Sequence, residues 1–260
     1  MKYQYLSETV AIKTVSENEK EGVFEIEGLY SGYGITMGNA LRRVLYSSLP
    51  GAAVTQIKIK GIGHEFTAME NVLEDAVTIS LNFKKLRFKM YTDEPQALTV
   101  KVKGEKKIYA SDIKTNAQIE LVTPEVLLAT LTAKNAEFEA ELTVEKGLGY
   151  VPSEARKSEK LPIGAIALDA AFSPVIKVNF EVENMRIGDR TDYNRVRFHI
   201  VTDGTIAPSS ALHKASNILK DHFEKVSAVE VMKAAEFADV KVMADKPEKK
   251  AKSKKTAKKK

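Results

Sequence analysis

The 260-residue chain contains no cysteine, which excludes disulfides and thiolate metal sites and fits a reducing compartment. It has no run of 18 apolar residues that could span a membrane. Its first residues, MKYQYLSETVAIK, lack the apolar core of a signal peptide. From these absences we expect a soluble protein that stays in the cytoplasm.

Motifs of enzyme chemistry are also missing. The four histidines show no HxH, HExxH or other paired spacing typical of a metal site. The sequence has no Walker loop, no GxGxxG and no GxSxG, and the two glycines of KGLGYVP lack the spacing of a phosphate-binding loop. We therefore predict no catalytic, cofactor-binding or metal-binding residue in this chain.

The net charge of +5 is unevenly distributed along the chain. Residues 246–260, KPEKKAKSKKTAKKK, contain nine lysines and one glutamate, so the rest of the chain has a net charge of about −3. This tail cannot bury an apolar core, and we expect it to be disordered. Lys249, Lys250, Lys254 and Lys255 are candidates for non-specific contacts with DNA phosphates, and a purely solubilising tail is the alternative. The mildly acidic body favours protein partners.

Apolar and polar residues alternate in GVFEIEGLY, AAVTQIKIKG and AEFEAELTVEKG, and this pattern predicts strands. Ile176, Val178, Phe180 and Val182 are predicted to form the apolar face of a further strand. A short helix is predicted within ENVLEDAVTISLNFKKL, with Leu73, Ala76, Val77 and Ser80 at helical spacing. Because the strands come in runs, the predicted fold class is α+β with mainly antiparallel sheets.

Two amphipathic helices are predicted near the two ends of this β-rich region. GITMGNALRRVLYSSLPG predicts a helix over 36–49, with Thr36 as its N-cap and Pro50 just beyond its end. A longer helix is predicted over 208–228, since Pro208 is a good first-turn residue. The apolar stripes of both helices fit packing on a sheet and also fit a symmetric dimer.

Arg42 and Arg43 stand side by side in the first of these helices, and periodicity leaves two interpretations open. In the first interpretation, both arginines lie on a solvated face, with their apolar stems against the helix and their charged ends in water. Alternatively, the rigid guanidinium fork binds carboxylates or carbonyls of a partner. Tyr46, one turn away, belongs to a residue type enriched at interfaces.

The segment that begins GYGITMGNALRRVLYSSLPG resembles the signature block of the bacterial RNA polymerase alpha subunit family. That block reads G-N-[AST]-[LM]-R-R-[IV]-L, S-S-x-P-G, H-E-[FY], and then V-x-E-D leading into L-N-x-K. Later segments match in the same order: GYVP, LPIG, DAAFSPV, RTDYNRV and DGTIAP. Together the matches span about residues 5–230.

The resemblance implies two subdomains, one inserted in the other. Residues 1–50 and 173–232 would form a dimerisation subdomain with a sheet and two helices. Residues 51–172 would form a mainly antiparallel, β-rich inserted subdomain. Residues 233–245 would be a helical or irregular extension before the lysine-rich tail.

The resemblance also implies a function. The family's alpha homodimer is the platform on which the beta and beta-prime subunits assemble, so this chain would be a non-catalytic subunit of DNA-directed RNA polymerase. Arg43, with Arg42 beside it, would contact beta, and Lys84 and Leu168 lie in regions that the family uses towards beta-prime. Mg²⁺ would sit on the catalytic partner. The family dimerises through its first and last helices, and the candidate interface residues are Leu41, Leu45, Leu212, Ala215, Leu219 and Phe223.

One departure from the family pattern is large. Typical members continue through a linker into a C-terminal helical domain that binds upstream DNA and activators, whereas here a lysine tail follows. We therefore expect the roles of that domain not to apply. The alternative function is a free-standing nucleic-acid-binding protein that uses the basic tail. Purification with beta and beta-prime, or with nucleic acid alone, separates the two hypotheses.

Overall fold

The computed structural model describes residues 8–63, 66–156, 162 and 164–229. They belong to two compact units, one ending at Lys220 and the other beginning at Asp221. Every strand lies in the first unit. Within the described residues, no helix is both long and apolar enough to cross a membrane.

Fifteen strands and three α-helices occur in the described residues. The strands are β1 (Ala11–Glu17), β2 (Glu21–Leu29), β3 (Pro50–Ile59), β4 (Phe88–Met90), β5 (Gln96–Lys103), β6 (Lys107–Tyr109), β7 (Ile113–Lys114), β8 (Ile119–Leu121), β9 (Leu127–Thr130), β10 (Glu137–Leu148), β11 (Tyr150–Val151), β12 (Ala165–Ala167), β13 (Ala170–Ala171), β14 (Val175–Ile187) and β15 (Arg190–Thr202). The helices are α1 (Tyr33–Ser47), α2 (Ala76–Lys84) and α3 (Pro208–Ser227), and short 3₁₀ turns lie at Ala110–Asp112 and Ser153–Arg156.

A four-stranded antiparallel sheet, in the order β1-β2-β15-β14, carries one apolar core. Phe24 of β2 and Phe198 of β15 are buried there together with Leu41 and Leu45 of α1 and Ala215 of α3. The strands and helices of this core come from two stretches that are far apart in the sequence. Burying apolar surface jointly is what holds these two stretches together.

A second antiparallel sheet, in the order β7-β5-β10-β3-β4-β8 with β12 beside β3, carries another core. Its buried apolar residues all lie between Ala52 and Leu168, and α2 contributes Ile79 and Phe83 to it. The separation of the two cores accords with an insertion, while the exact subdomain boundaries stay a prediction. The predicted α+β class with mainly antiparallel sheets is confirmed.

Two helix starts differ from the sequence-based predictions. The predicted start of α1 at Thr36 is wrong, because α1 begins at Tyr33 and follows Gly32, whose φ of 86° is left-handed. Gly32 offers no side-chain cap, and a distant residue described below takes that role. Leu73, predicted within the second helix, lies before it, because Asp75 caps α2 by accepting a hydrogen bond from the Thr78 N–H.

Ile176 was predicted on the apolar face of β14, and this prediction is wrong. Its side chain is 61% exposed, whereas Val178 is buried and Phe180 and Val182 pack against the core. The pairing of β14 with β15 shifts register between Val175 and Lys177. An extra residue in one strand resets the alternation of faces, so a simple period of two misplaces the residue at the bulge.

Helix α1 lies unusually close to β14. A Cβ atom placed on Gly38 would meet the ring of Phe180 at 2.4 Å, and one on Gly34 would meet Cγ1 of Val182 at 2.6 Å. Real Cβ atoms do not approach other atoms so closely. The two glycines therefore allow the helix backbone to lie directly on the side chains of the sheet.

Gly38→Ala is expected to lower the free energy of unfolding by about 1–3 kcal/mol, because the added methyl group overpacks the Phe180 ring. Helix propensity alone predicts the opposite sign, since alanine is favoured over glycine by about 1 kcal/mol. Thr36→Ala, at an exposed position of the same helix, is the control and should be neutral or slightly stabilising. Urea denaturation measures both variants, and a stabilised Gly38→Ala would contradict the close packing.

Candidate partner-binding surface

A side chain from β15 caps the N-terminus of α1. Oδ1 of Asn194 accepts hydrogen bonds from the backbone N–H groups of Gly32 (2.9 Å) and Gly34 (3.3 Å). Its Nδ2 donates to Oδ1 of Asn184 on β14 (3.1 Å), which orients the amide. Asn194 and Gly34 are both buried, so water cannot readily replace the bond to Gly34. Two of the N–H groups at the start of the helix are thus satisfied by a residue about 160 positions away.

The C-terminal part of α1 is attached to the same hairpin. The hydroxyl oxygen of Tyr46 accepts a hydrogen bond from the backbone N–H of Val178 on β14 (2.7 Å). Because β14 is an edge strand, this N–H points away from the sheet ladder and needs an acceptor outside it. In the same turn of α1, Oγ of Ser47 donates to the carbonyl oxygen of Arg43 (2.8 Å).

Arg43 lies on the side of α1 opposite the core. Leu41 and Leu45 are both buried, and each is two residues from Arg43, which is about 200° around an α-helix. The Arg43 side chain is exposed, and its guanidinium makes no hydrogen bond or ion pair with the residues that the structure describes. The guanidinium group is therefore available to a partner.

Arg42 is held differently, although it is the neighbouring residue. Its Nη2 donates to Oδ1 of Asn39 (3.0 Å), and its guanidinium carbon lies 5.2 Å from the centre of the Phe180 ring. The side chain thus covers an aromatic ring of its own chain, as expected of an arginine on a solvated helix face. The structure distinguishes the two arginines, which periodicity alone could not do.

Lys84 and Leu168, the two candidates for contact with beta-prime, line the same depression of about 160 Å³. Nζ of Lys84 lies 3.0 Å from Oδ2 of Asp169 and 5.9 Å from the centre of the Tyr150 ring. Leu168 is itself buried, and its N–H donates to the Thr55 carbonyl (2.8 Å). The charged groups of this depression are Lys84 and Asp169, and sequence reasoning missed Asp169.

Asp169 stays ionised at neutral pH. The backbone N–H of Ser153 donates to its Oδ1 (2.9 Å), and the Lys84 ammonium lies beside its Oδ2. The hydrogen bond from Ser153 and, after it, the one from Lys84 hold the pKa of Asp169 well below its usual range. The depression therefore presents a fixed pair of opposite charges near neutral pH.

The six candidate dimer residues fall into two groups. Four of them belong to the chain's own core: Leu41, Leu45, Leu212 and Ala215. Leu219 is half-buried, whereas Phe223 is 65% exposed. Val226, also exposed, lies three residues further along α3 and was not among the candidates. The stripe of α3 thus begins as part of a core and continues as exposed apolar surface.

Several predicted positions lie outside the described residues. They are the four tail lysines Lys249, Lys250, Lys254 and Lys255 and the predicted extension 233–245, and one of the four histidines, His64, also lies outside. Elsewhere, His199 pairs with Glu21, and Nε2 of His213 lies 3.0 Å from Nδ2 of Asn217. No group of three or more histidine, aspartate or glutamate residues able to hold a metal ion occurs in the part of the chain that the structure describes.

Comparison with known proteins identifies the class of this architecture. Residues 57–173, which hold most of the second sheet, match the family model described as RNA polymerase Rpb3/RpoA insert domain. The DNA-directed RNA polymerase subunit alpha of Symbiobacterium thermophilum is 45% identical over 217 residues, which are 84% of this chain and 68% of that protein. The subunit of the same name from Moorella thermoacetica is 47% identical over 205 residues, which are 79% of this chain and 65% of that protein.

The chain therefore belongs to the family of DNA-directed RNA polymerase alpha subunits. The matched region spans about two thirds of the length of these two relatives. The resemblance inferred from the LRR block and the later segments is confirmed.

Asp169→Asn is expected to lower the free energy of unfolding at neutral pH by about 1 kcal/mol. The amide loses the ion pair with Lys84, and solvent screening of a side chain that is 34% exposed limits the effect. The folded-state pKa of Asp169 lies below its ordinary value of 3.8, so its stabilising contribution is present above that value and is lost as the pH falls through the folded pKa. The difference in the free energy of unfolding between the unchanged protein and Asp169→Asn should therefore shrink as the pH falls from about 5 to about 2.

Asp93→Asn is the matched control for this change. Asp93 also pairs with a lysine, Lys146, at 2.7 Å, but its side chain is almost fully exposed. Its replacement should change stability by less than about 0.5 kcal/mol at any pH. Thermal unfolding across the pH series measures both variants. If Asp169→Asn lowers stability equally at every pH, the stabilising role of the ionised Asp169 carboxylate is contradicted.

Proposed function

We propose that this chain is a non-catalytic assembly subunit of DNA-directed RNA polymerase, whose homodimer is the platform for the beta and beta-prime subunits. The observation that carries the proposal is Arg43, an exposed arginine that pairs with none of the described residues and stands on a helix that is fixed to the sheet. The joining of ribonucleotides would take place on the partner subunits, which would hold the Mg²⁺ ion. This chain would bind no cofactor.

Arg43 is suited to a protein partner because of its chemistry. A guanidinium is planar, remains charged, and presents its N–H groups in a fork that matches a carboxylate. Lysine offers a point charge and cannot make the same two parallel hydrogen bonds. Arg43 is therefore proposed to dock onto a carboxylate or onto backbone carbonyls of beta. Arg42, which is engaged with Phe180, would contribute less to this contact.

The proposed beta-prime contact and the proposed dimer contact lie on different surfaces. The depression that holds Lys84 and Asp169 is the proposed beta-prime contact, where an opposite pair of charges would meet a polar partner. The exposed apolar residues of α3, Phe223 and Val226, are the proposed dimer contact, because a second copy of the helix would remove them from water.

The remaining parts of the proposal concern DNA and location. The tail lysines 249, 250, 254 and 255 would touch DNA without reading its sequence, since ammonium groups neutralise phosphates but do not discriminate bases. The complex would act in the cytoplasm, at the nucleoid. Neither the described residues nor the similar proteins favour the alternative of a free-standing nucleic-acid-binding protein.

Arg43→Ala is expected to leave the dimer intact and to weaken capture of the purified beta subunit. Loss of one member of a charge pair buried in an interface typically costs about 2–5 kcal/mol, whereas an exposed pair costs less than about 1 kcal/mol. Arg43→Lys should recover only part of the affinity, because it restores the charge but not the fork. Surface plasmon resonance against immobilised beta measures all three proteins.

Arg186→Ala is the control, since Arg186 is an exposed arginine on β14, the strand against which α1 packs. It should bind beta as the unchanged protein does. If Arg43→Ala also binds beta with unchanged affinity, Arg43 belongs to a solvated face and the proposed beta contact is wrong.

Phe223→Glu is expected to convert the dimer to monomers without unfolding the chain. The side chain is exposed in the single chain, so a charge there is harmless to the fold but costly in an apolar seam. Leu212→Glu would not be informative, because Leu212 is part of the chain's own core. Lys225→Glu changes the charge two residues further along, on the other side of α3, and should leave the dimer intact.

Sedimentation velocity at micromolar concentration distinguishes these outcomes. A monomeric parent protein would exclude the dimer altogether. A dimeric Phe223→Glu protein would show that the dimer forms through another surface.

A further inference from the structure

Helix α1 is bonded at each end to the hairpin of β14 and β15, and Arg43 leaves the helix between these two attachments. We propose that Asn194 and Tyr46 are positioning residues for partner binding, which fix α1 on the hairpin and so fix the direction of the Arg43 guanidinium. This inference rests on the proposed contact between Arg43 and beta. It assigns to each residue a role that acts through Arg43 and not by touching the partner.

The attachment at the N-terminal end depends on one amide. Gly32 has no side chain, so the helix has no cap of its own, and Oδ1 of Asn194 serves two of its first N–H groups. The hydrogen bond from Nδ2 to Asn184 holds that amide in the orientation in which Oδ1 faces the helix. Because Gly34 and Asn194 are buried, a lost acceptor would leave the Gly34 N–H without a partner away from water.

The hairpin that carries Asn194 is itself stiffened beside the helix start. The guanidinium carbon of Arg190 lies 4.8 Å from the ring centre of Tyr30 and 5.3 Å from that of Tyr193. Arg190 also donates two hydrogen bonds to the carboxylate of Asp192, at 3.0 and 2.7 Å. Tyr30 stands just before Gly32, so this stack ties the chain entering α1 to the strand that caps it.

The attachment at the C-terminal end lies in the same turn as Arg43. Tyr46 is three residues after Arg43, and the two side chains occupy neighbouring positions on the helix surface. The Tyr46 hydroxyl holds the Val178 N–H just after the bulge of β14. Tyr46 is 40% exposed, so part of its ring packs on the protein while its hydroxyl bond ties α1 to the strand.

Between its ends, α1 is held by packing. Leu41 and Leu45 are buried in the core, and Gly34 and Gly38 lie close to Val182 and Phe180. Apolar packing is not directional, whereas the hydrogen bonds at the two ends of the helix define a direction. Bidentate recognition needs the guanidinium within about 0.5 Å and 10–20° of its productive position. The two end attachments add to the restraint that the packing provides.

The decisive experiment is a double-mutant cycle with purified beta subunit, using full-length dimers. Tyr46→Phe removes only the hydroxyl, and Tyr33→Phe is its matched control, because Tyr33 is similarly exposed on the same helix and its hydroxyl makes no hydrogen bond within the part of the chain that the structure describes. Asn194→Ala removes the cap, whereas Asn194→Asp keeps an oxygen acceptor that also suits the positive end of the helix dipole. Each variant is made with Arg43 and with Arg43→Ala.

With Arg43 present, Tyr46→Phe and Asn194→Ala are each expected to weaken beta binding about fivefold, which is the scale of one lost cap or hydrogen bond. Tyr33→Phe should bind as the parent does, and Asn194→Asp should recover part of the loss, because it keeps the acceptor but loses the Nδ2 donor to Asn184. In the Arg43→Ala background the effects of Tyr46→Phe and Asn194→Ala should fall below about twofold, because there is no guanidinium left to position.

Two results would overturn the inference while leaving the beta contact of Arg43 intact. One is unchanged beta binding by Tyr46→Phe and Asn194→Ala when Arg43→Ala itself binds weakly. The other is a fivefold loss that persists in the Arg43→Ala background, which is the signature of a general structural effect. Unchanged binding by Arg43→Ala alone would overturn the proposed beta contact and this inference with it. If Asn194→Ala does not fold, Tyr46→Phe decides the question.

Discussion

The contact of α1 with the β14–β15 hairpin is the constraint on which the partner-binding surface depends. Gly34 and Gly38 let the helix backbone rest on Val182 and Phe180, and this closeness brings the Tyr46 hydroxyl within reach of an edge-strand N–H. The same contact buries Leu41 and Leu45, which turns Arg43 outward. A bulkier residue at either glycine would move the core, the attachment and the arginine together.

The features that the sequence predicted well are those set by neighbouring residues. The alternation in β10 and the start of α3 at Pro208 depend on side chains a few positions apart, and both are found as expected. The start of α1 depends on Asn194, which lies 160 residues away, and no local pattern contains it. The segment RTDYNRV was recognised as a match to the family, but its asparagine gave no sign of capping a helix. The exposure of Ile176 likewise depends on a bulge that periodicity cannot show.

The same distinction between local and distant contacts applies to the candidate site. Periodicity treated Arg42 and Arg43 as equivalent, because neighbouring positions on a helix differ only in direction. The structure separates them, since Phe180 lies under Arg42 and nothing in the described residues pairs with Arg43. The stripe on α3 could not be divided from sequence either, because the same leucine spacing suits a sheet or another helix. Because Leu212 and Ala215 pack in the core, the exposed Phe223 is the residue that can test the dimer contact.

The chain leaves the first sheet and returns to it through a narrow neck. The carbonyl oxygen of Phe172 lies 1.9 Å from where a Cβ of Gly51 would stand, so the outgoing and returning strands touch. The ends of the 52–168 core are therefore already together, whatever lies between them. For such a module, length adds little to the entropy of closing the loop, which grows only with the logarithm of loop size. A change of length in the loops of the second core therefore adds little to the entropic cost of bringing Gly51 and Phe172 together.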